Sequence, residues 1–173
     1  MTDFSKPAFL DGKPKQLLID GKHVDAMSGE RFPSFSAATG ELVAEFALAG
    51  EADVDRAVRA ARAAFDGPWS RMKPAERQAI LLRLAELVDA EFGDLALLDT
   101  LEMGRPITAA LGLRSMVRRS LQHFAGAATQ IHGQTLPNSS PVDLLSFTLR
   151  EPIGVVGAII PWKIGRASCR ERV

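Results

Sequence analysis

The stretch Glu151–Trp162, "EPIGVVGAIIPW", decides the fold. From Ile153 to Ile160 it carries no polar side chain and shows no alternation, and Pro152 and Pro161 bound it on either side. A continuous apolar run of this length between two prolines predicts a strand buried on both faces, as in the parallel sheet of an α/β domain. In open α/β sheets ligands bind beyond the carboxyl ends of the strands, so Ile160, Pro161, Trp162 and residue 163 fall where a cofactor would dock. On pattern alone, Trp162 more often simply caps the core, as most tryptophans after a strand do.

Upstream of that strand the chain reads in two registers. Asp20-Gly21 in "QLLIDGKHV" separates two short β-rich runs and predicts a hairpin, because glycine tolerates the positive φ of tight primed turns. Thr39-Gly40 predicts a second turn, before a strand from Leu42 to Leu48. The period then changes. Val54, Ala57, Val58, Ala61 and Phe65 share one helical face, and Glu51 and Asp53 lie in the positive first turn of a helix starting near Gly50. After a break at "DGPWSRMK", Pro74 suits a first helical position, and Ile80, Leu81, Leu84, Leu87 and Val88 form a second apolar stripe.

A third helix is predicted over 92–102, ending at Gly104 before Arg105-Pro106, and a fourth from about Ile107 to Ile131, weakened at Gly112 and Gly126. In "LLSFTLREP", Leu145, Phe147 and Leu149 alternate with polar residues, which predicts a strand with one buried face.

Composition narrows the functional classes. The 173 residues are 46% hydrophobic, enough for a sizeable core, and 21 basic residues balance 21 acidic ones. No charge field therefore invites nucleic acid. Cys169 is the only cysteine, and His23, His123 and His132 are scattered, so neither an internal disulfide nor a zinc set of usual spacing is available. The N-terminus lacks the apolar centre of a signal peptide, and no apolar run spans a bilayer, so a cytoplasmic protein without membrane partners is expected. There is no G-x-G-x-x-G or Walker-type loop.

Four segments, taken in order, resemble the NAD(P)-dependent aldehyde dehydrogenase superfamily: "LLIDGKHVDAMSGERFPSFSAATGELVAE", "GPWSRMKPAERQAILLRLAELV", "LEMGRP" and "EPIGVVGAIIPW". The resemblance covers about residues 16–162. It implies an incomplete Rossmann-like dinucleotide-binding domain with small antiparallel β segments. In its terms, 1–15 is a flexible N-terminus and 16–133 the first part of the dinucleotide-binding domain. Residues 134–152 belong to the oligomerisation sheet, and 153–163 are the first strand and loop of the dinucleotide-binding sheet. It also implies NAD or NADP as cofactor, an aldehyde as substrate, a homodimer or homotetramer, and a cofactor rim at Ile159, Ile160, Pro161 and Trp162. Glu102 and Arg105 would pack and cap a helix end. In family members a cysteine thiolate attacks the aldehyde, hydride passes to the nicotinamide, and a glutamate activates the water that releases the acid. An asparagine amide and a backbone N–H stabilise the oxyanion.

The asparagine position is occupied here by Lys163, a long flexible cation in place of a short neutral donor. The residues after it, "IGRASCRERV", depart from the family and resemble a translated sequencing adapter: ATC GGA AGA GCG TCG TGT AGG reads Ile-Gly-Arg-Ala-Ser-Cys-Arg. An asparagine codon begins AA, and an adapter G in its third place makes lysine. Residues 164–173 are therefore read as an artefact and Lys163 as an overwritten asparagine. On this reading Cys169 is no nucleophile, although Arg166 and Arg170 could lower its pKa. The chain is expected to be an inactive N-terminal fragment of the enzyme; the rival is a non-catalytic interaction module built from the same fold. The three histidines and charged helix residues such as Arg77 and Glu86 are expected on solvated surfaces.

Overall fold

The computed structural model describes residues 7–159. Two hairpins come first. Strands β1 (Leu17–Ile19) and β2 (Lys22–Val24) pair antiparallel with Leu18 opposite His23. Asp20 and Gly21 both take positive φ, 54° and 70°, the two-residue turn expected from the sequence. Strands β3 (Arg31–Phe35) and β4 (Leu42–Ala47) pair with Phe32 opposite Phe46, their rings stacked 5.6 Å apart. A register shift at Ser34/Phe35 leads into the turn closed by Gly40 N–H donating to Ser36 O at 2.8 Å.

The helices follow. α1 (Glu51–Asp66) starts at Gly50 and α2 (Pro68–Arg71) is a single turn inside the expected break. α3 (Pro74–Ala90) begins with its proline at the first position, and Glu76 accepts the N–H of Lys73 at 2.6 Å. α4 (Phe92–Met103) stops at Gly104, whose φ of 69° is the left-handed cap expected there. The single helix expected over 107–131 is instead α5 (Ile107–Leu111) and α6 (Arg114–Ala127). The chain tightens at the break, where Leu113 N–H donates to Ala110 O and Gly112 N–H to Thr108 O, and glycine's low helix propensity makes this the cheapest place to interrupt the ladder.

The core of the helical layer is Phe92, Ala96, Ala110 and Val117, flanked by Val88, Ile107, Leu113 and Leu121. The small side chains of Ala96 and Ala110 beside Phe92 let α4 and α5 approach closely. Arg114 locks this packing from outside: its Nε and Nη2 grip the Asp89 carboxylate at 2.8 and 3.1 Å, and Nη2 also reaches the Asp89 carbonyl at 3.0 Å.

Several faces that the sequence pattern assigns to the interior are open. In α1, Val54 and Val58 are exposed and only Asp53 is buried. α3 turns Ala85 inward, while Ile80, Leu84 and Leu87 of its stripe are exposed. β5 (Thr135–Leu136) and β6 (Ser146–Phe147) form a two-residue ladder, with Leu145, Phe147 and Leu149 exposed rather than buried. The largest departure is at 153–159, expected as a strand buried on both faces: it forms no strand, and Ile153 and Ile159 are 94% and 97% exposed. A strand exists only where a neighbour completes its hydrogen-bond ladder, and among the described residues none lies beside this segment. The two-residue β5–β6 ladder is likewise open, whereas Ile19, Ala44 and Ala47 of the two earlier hairpins are buried.

Candidate functional site

Of the expected rim residues, only Ile159 lies among those described; Ile160, Pro161, Trp162 and Lys163 lie outside them. The segment leading to the expected rim, 153–159, is among the described residues. Gly154 has φ of +119°, and the Arg62 guanidinium of α1 sits where a side chain would project, with Nη1 3.7 Å from the position of a Cβ. The positive φ favours glycine there, while the Arg62 approach is an ordinary van der Waals contact that leaves room for a Cβ. Arg62 also lies over the Phe65 ring, 5.6 Å from its centroid, so α1 presents a cation to the outgoing chain. The described part of this segment pairs with no strand and offers no glycine-rich turn entering a helix, so the described residues do not by themselves fit a dinucleotide.

Below that segment, "LEMGRP" is a junction. The Glu102 carboxylate accepts the Ser34 hydroxyl at 3.0 Å, and Ala37 N–H donates to Leu101 O at 3.2 Å, which ties the β3–β4 hairpin to α4. Arg105, just past the helix cap, pairs with Asp99 at 3.1 Å. Asp99 is fully buried and its partner four-fifths covered, so the pair is an internal brace rather than a surface bridge. Truncating one member would strand the other's charge in a low-dielectric place, typically at about 3–5 kcal/mol. Sequence reasoning identified Glu102 and Arg105 at this helix end but missed Asp99. The available signal was an acidic residue set among Leu97, Leu98 and Leu101 of α4.

Asp53 is the second buried acid. Its carboxylate accepts Met27 N–H at 3.1 and 3.2 Å and Gly50 N–H at 3.1 Å, so it caps α1 and holds the end of the first hairpin against it. The sequence placed Asp53 in the first turn for its charge but gave no sign of the partner from Met27. Arg77 corrects another expectation. Rather than lying on a solvated face, it is half-buried, stacks 5.6 Å from the Trp69 ring and donates to Trp69 O at 3.0 Å, stapling the α2–α3 elbow. Glu86 does lie at the surface, 2.9 Å from Arg83.

His23, His123 and His132 are exposed, and His123 meets only the edge of Phe124. Cys169 lies outside the described residues. Hydrogen bonding to Arg114 holds the Asp89 carboxyl below its ordinary range against the opposing effect of burial, with lesser coulombic pulls from Arg114 and Arg118; the same hydrogen bond holds Arg114 above its own. No helix among the described residues is long and apolar enough to cross a membrane.

Comparison with known proteins places this arrangement. A chain of the same architecture is found in an aldehyde dehydrogenase from Bacillus cereus, solved as an NAD+ complex, with a TM-score of 0.79 at 38% identity over 84% of this chain and 30% of that one. Aldehyde dehydrogenase 1 of Tanacetum cinerariifolium is 44% identical over 91% of this chain and 32% of its own length. Aldehyde dehydrogenase family 2 member B4 of Arabidopsis thaliana, a mitochondrial protein, is 45% identical over 85% of this chain and 27% of its own. The chain therefore spans about 30% of the length of the relatives it matches, and its class is α/β. The family pattern described as "Aldehyde dehydrogenase family" matches residues 23–169, from the second strand of the first hairpin to six residues past position 163, so this chain belongs to the aldehyde dehydrogenase family.

Proposed function

We propose that this chain is the N-terminal portion of an enzyme that oxidises an aldehyde to a carboxylic acid, with NAD or NADP accepting the hydride. The observation that carries the reading is the family match over 23–169, on a chain that spans only about 30% of its relatives' length. The open segment 153–159 supports it. Ile153, Val156 and Ile159 stand in solvent, as expected of a central strand without its neighbours. In this reading 16–133 begins the dinucleotide-binding domain, 134–152 contributes to the oligomerisation sheet of a homodimer or homotetramer, and 153–163 is the first strand and loop of the cofactor sheet. Ile159, Ile160, Pro161 and Trp162 form the cofactor rim. Position 163 holds the oxyanion donor, and Lys163 with residues 164–173 records a sequencing join. The protein is assigned to the cytoplasm.

Three measurements test this. Resequencing codons 160–175 should give asparagine at 163 followed by an open reading frame. The uninterrupted protein should form NADH or NADPH with aldehydes, whereas the 173-residue chain should form none. Lysine in place of that asparagine should lower kcat by about 10²–10³, the usual effect of losing one oxyanion donor. An independent clone with Lys163, the same ten residues and a stop codon would overturn the artefact reading. Activity of the purified chain that a thiol blocker abolishes would overturn the assignment of its inactivity.

A further inference from the structure

The helical layer carries a second feature that the aldehyde reading does not use. Along the outer face of α6, Arg114, Arg118 and Arg119 line an open groove of about 550 Å³ with Ser115, Gln122 and, from the end of α3, Asp89. The single carboxylate is engaged by Arg114 through two hydrogen bonds. Arg118 stands 3.7 Å from the same carboxylate, outside hydrogen-bond reach, and among the described residues no carboxylate pairs with Arg119. Three guanidinium groups against one carboxylate leave the groove with two formal positive charges. Positions 114, 118 and 122 form one row of the helix surface and 115, 119 and 122 the next, so the two arginine forks and the hydroxyl and amide donors line the same groove along about 12 Å of helix.

We propose that this groove is an oxyanion site that takes a phosphate dianion. The charge of the ligand follows from the uncompensated charge of the groove. The tetrahedral shape follows from the donors: two planar forks with adjacent neutral donors match several oxygens on one centre, which a halide cannot use and a carboxylate uses only in part. The dianion can be free phosphate or the terminal group of a phosphorylated small molecule. The recognising chemistry is shared.

The test is calorimetric titration of the 173-residue chain with inorganic phosphate and, separately, with glycerol phosphate, each against chloride at matched ionic strength. Saturable one-to-one binding is expected. Arg118→Gln and Arg119→Gln should each weaken it about tenfold, as for loss of one charge-assisted contact. Arg83→Gln, which removes an exposed arginine on α3, should change nothing. Tighter binding of glycerol phosphate identifies a phosphorylated molecule as the source, and equal or weaker binding identifies free phosphate. Arg118→Lys and Arg119→Lys keep the charge and lose the fork, and an intermediate loss of affinity is expected even if the glutamine variants disturb folding by circular dichroism. Absence of saturation over the chloride control, or unchanged affinity in both lysine variants, overturns the proposal.

Discussion

Replacing Asp53 with alanine is expected to cost about 3–5 kcal/mol, far more than a surface acid at a helix start normally contributes. The carboxylate is 2% exposed and satisfies two backbone N–H groups, those of Met27 and Gly50. A hydrogen bond to a charged acceptor contributes about 1.5–3 kcal/mol, so two give about 3–6, and partial entry of water into the vacated space reduces the upper end. The favourable interaction with the helix dipole adds about 0.5 kcal/mol. Set against a typical domain stability of about 5–15 kcal/mol, this is a large share. Asp53→Asn keeps one acceptor oxygen but turns an amide donor toward N–H groups, and about 2 kcal/mol is expected for it. Urea unfolding followed by circular dichroism gives the totals. Amide exchange gives the location, because Met27 and Gly50 should exchange about 10²–10³ times faster in the alanine variant than in the parent. A loss below about 1 kcal/mol with both amides still protected would refute the reasoning.

Phe92→Ala should destabilise the helical layer by about 3–5 kcal/mol, read from the same urea titration, because the ring is 1% exposed and its alanine neighbours cannot expand to refill the space. The α3–α6 clamp should fail in acid. The Asp89 pKa is depressed in the folded protein, so its contribution is complete above the ordinary value of 3.8 and is lost as pH falls through the lower folded value; acid unfolding should shift to higher pH in Arg114→Gln. Val156→Lys should reduce self-association in gel filtration without loss of helix, since Val156 is 69% exposed in an apolar run that forms no strand. Gly104→Ala should cost about 1 kcal/mol in urea, because the left-handed cap penalises a side chain and Ala37 Cβ lies 3.4 Å away.

Local chemistry was legible in the sequence where backbone geometry alone settles it. The Asp20-Gly21 turn, the Pro74 helix start and the Gly104 stop are set by φ and by the missing proline N–H, and each lies where the residues predict. Periodicity was read correctly as a statement about which face is apolar, but it carries no information about what covers that face. Val54 and Val58, Ile80 and Leu84, Leu145 and Leu149 and the run 153–159 all have the pattern of buried residues and lie open, because the surfaces that would cover them are not among the described residues. Asp53 and Asp99 were hidden for the opposite reason. Their partners, Met27 and Arg105, are joined to them by folding and not by any short-range spacing rule. The candidate site at 159–163 rested on the position of the loop after an expected strand and on family resemblance, which supply roles without geometry.

The core around Phe92 is assembled from residues 88–121 alone, and this bears on the order of events during synthesis. Helix formation and closure of short loops take microseconds or less, whereas the ribosome adds about 5–20 residues per second. The helical body can therefore close while everything after it is still being made. The apolar run at 153–159 would then emerge beside an already folded body, and every ten residues that separate it from a pairing strand would prolong its exposure by about 0.5–2 s. For that interval it is a ready substrate for a holding chaperone, and a nascent chain stalled just beyond it would keep that surface available to any neighbour on the same polysome.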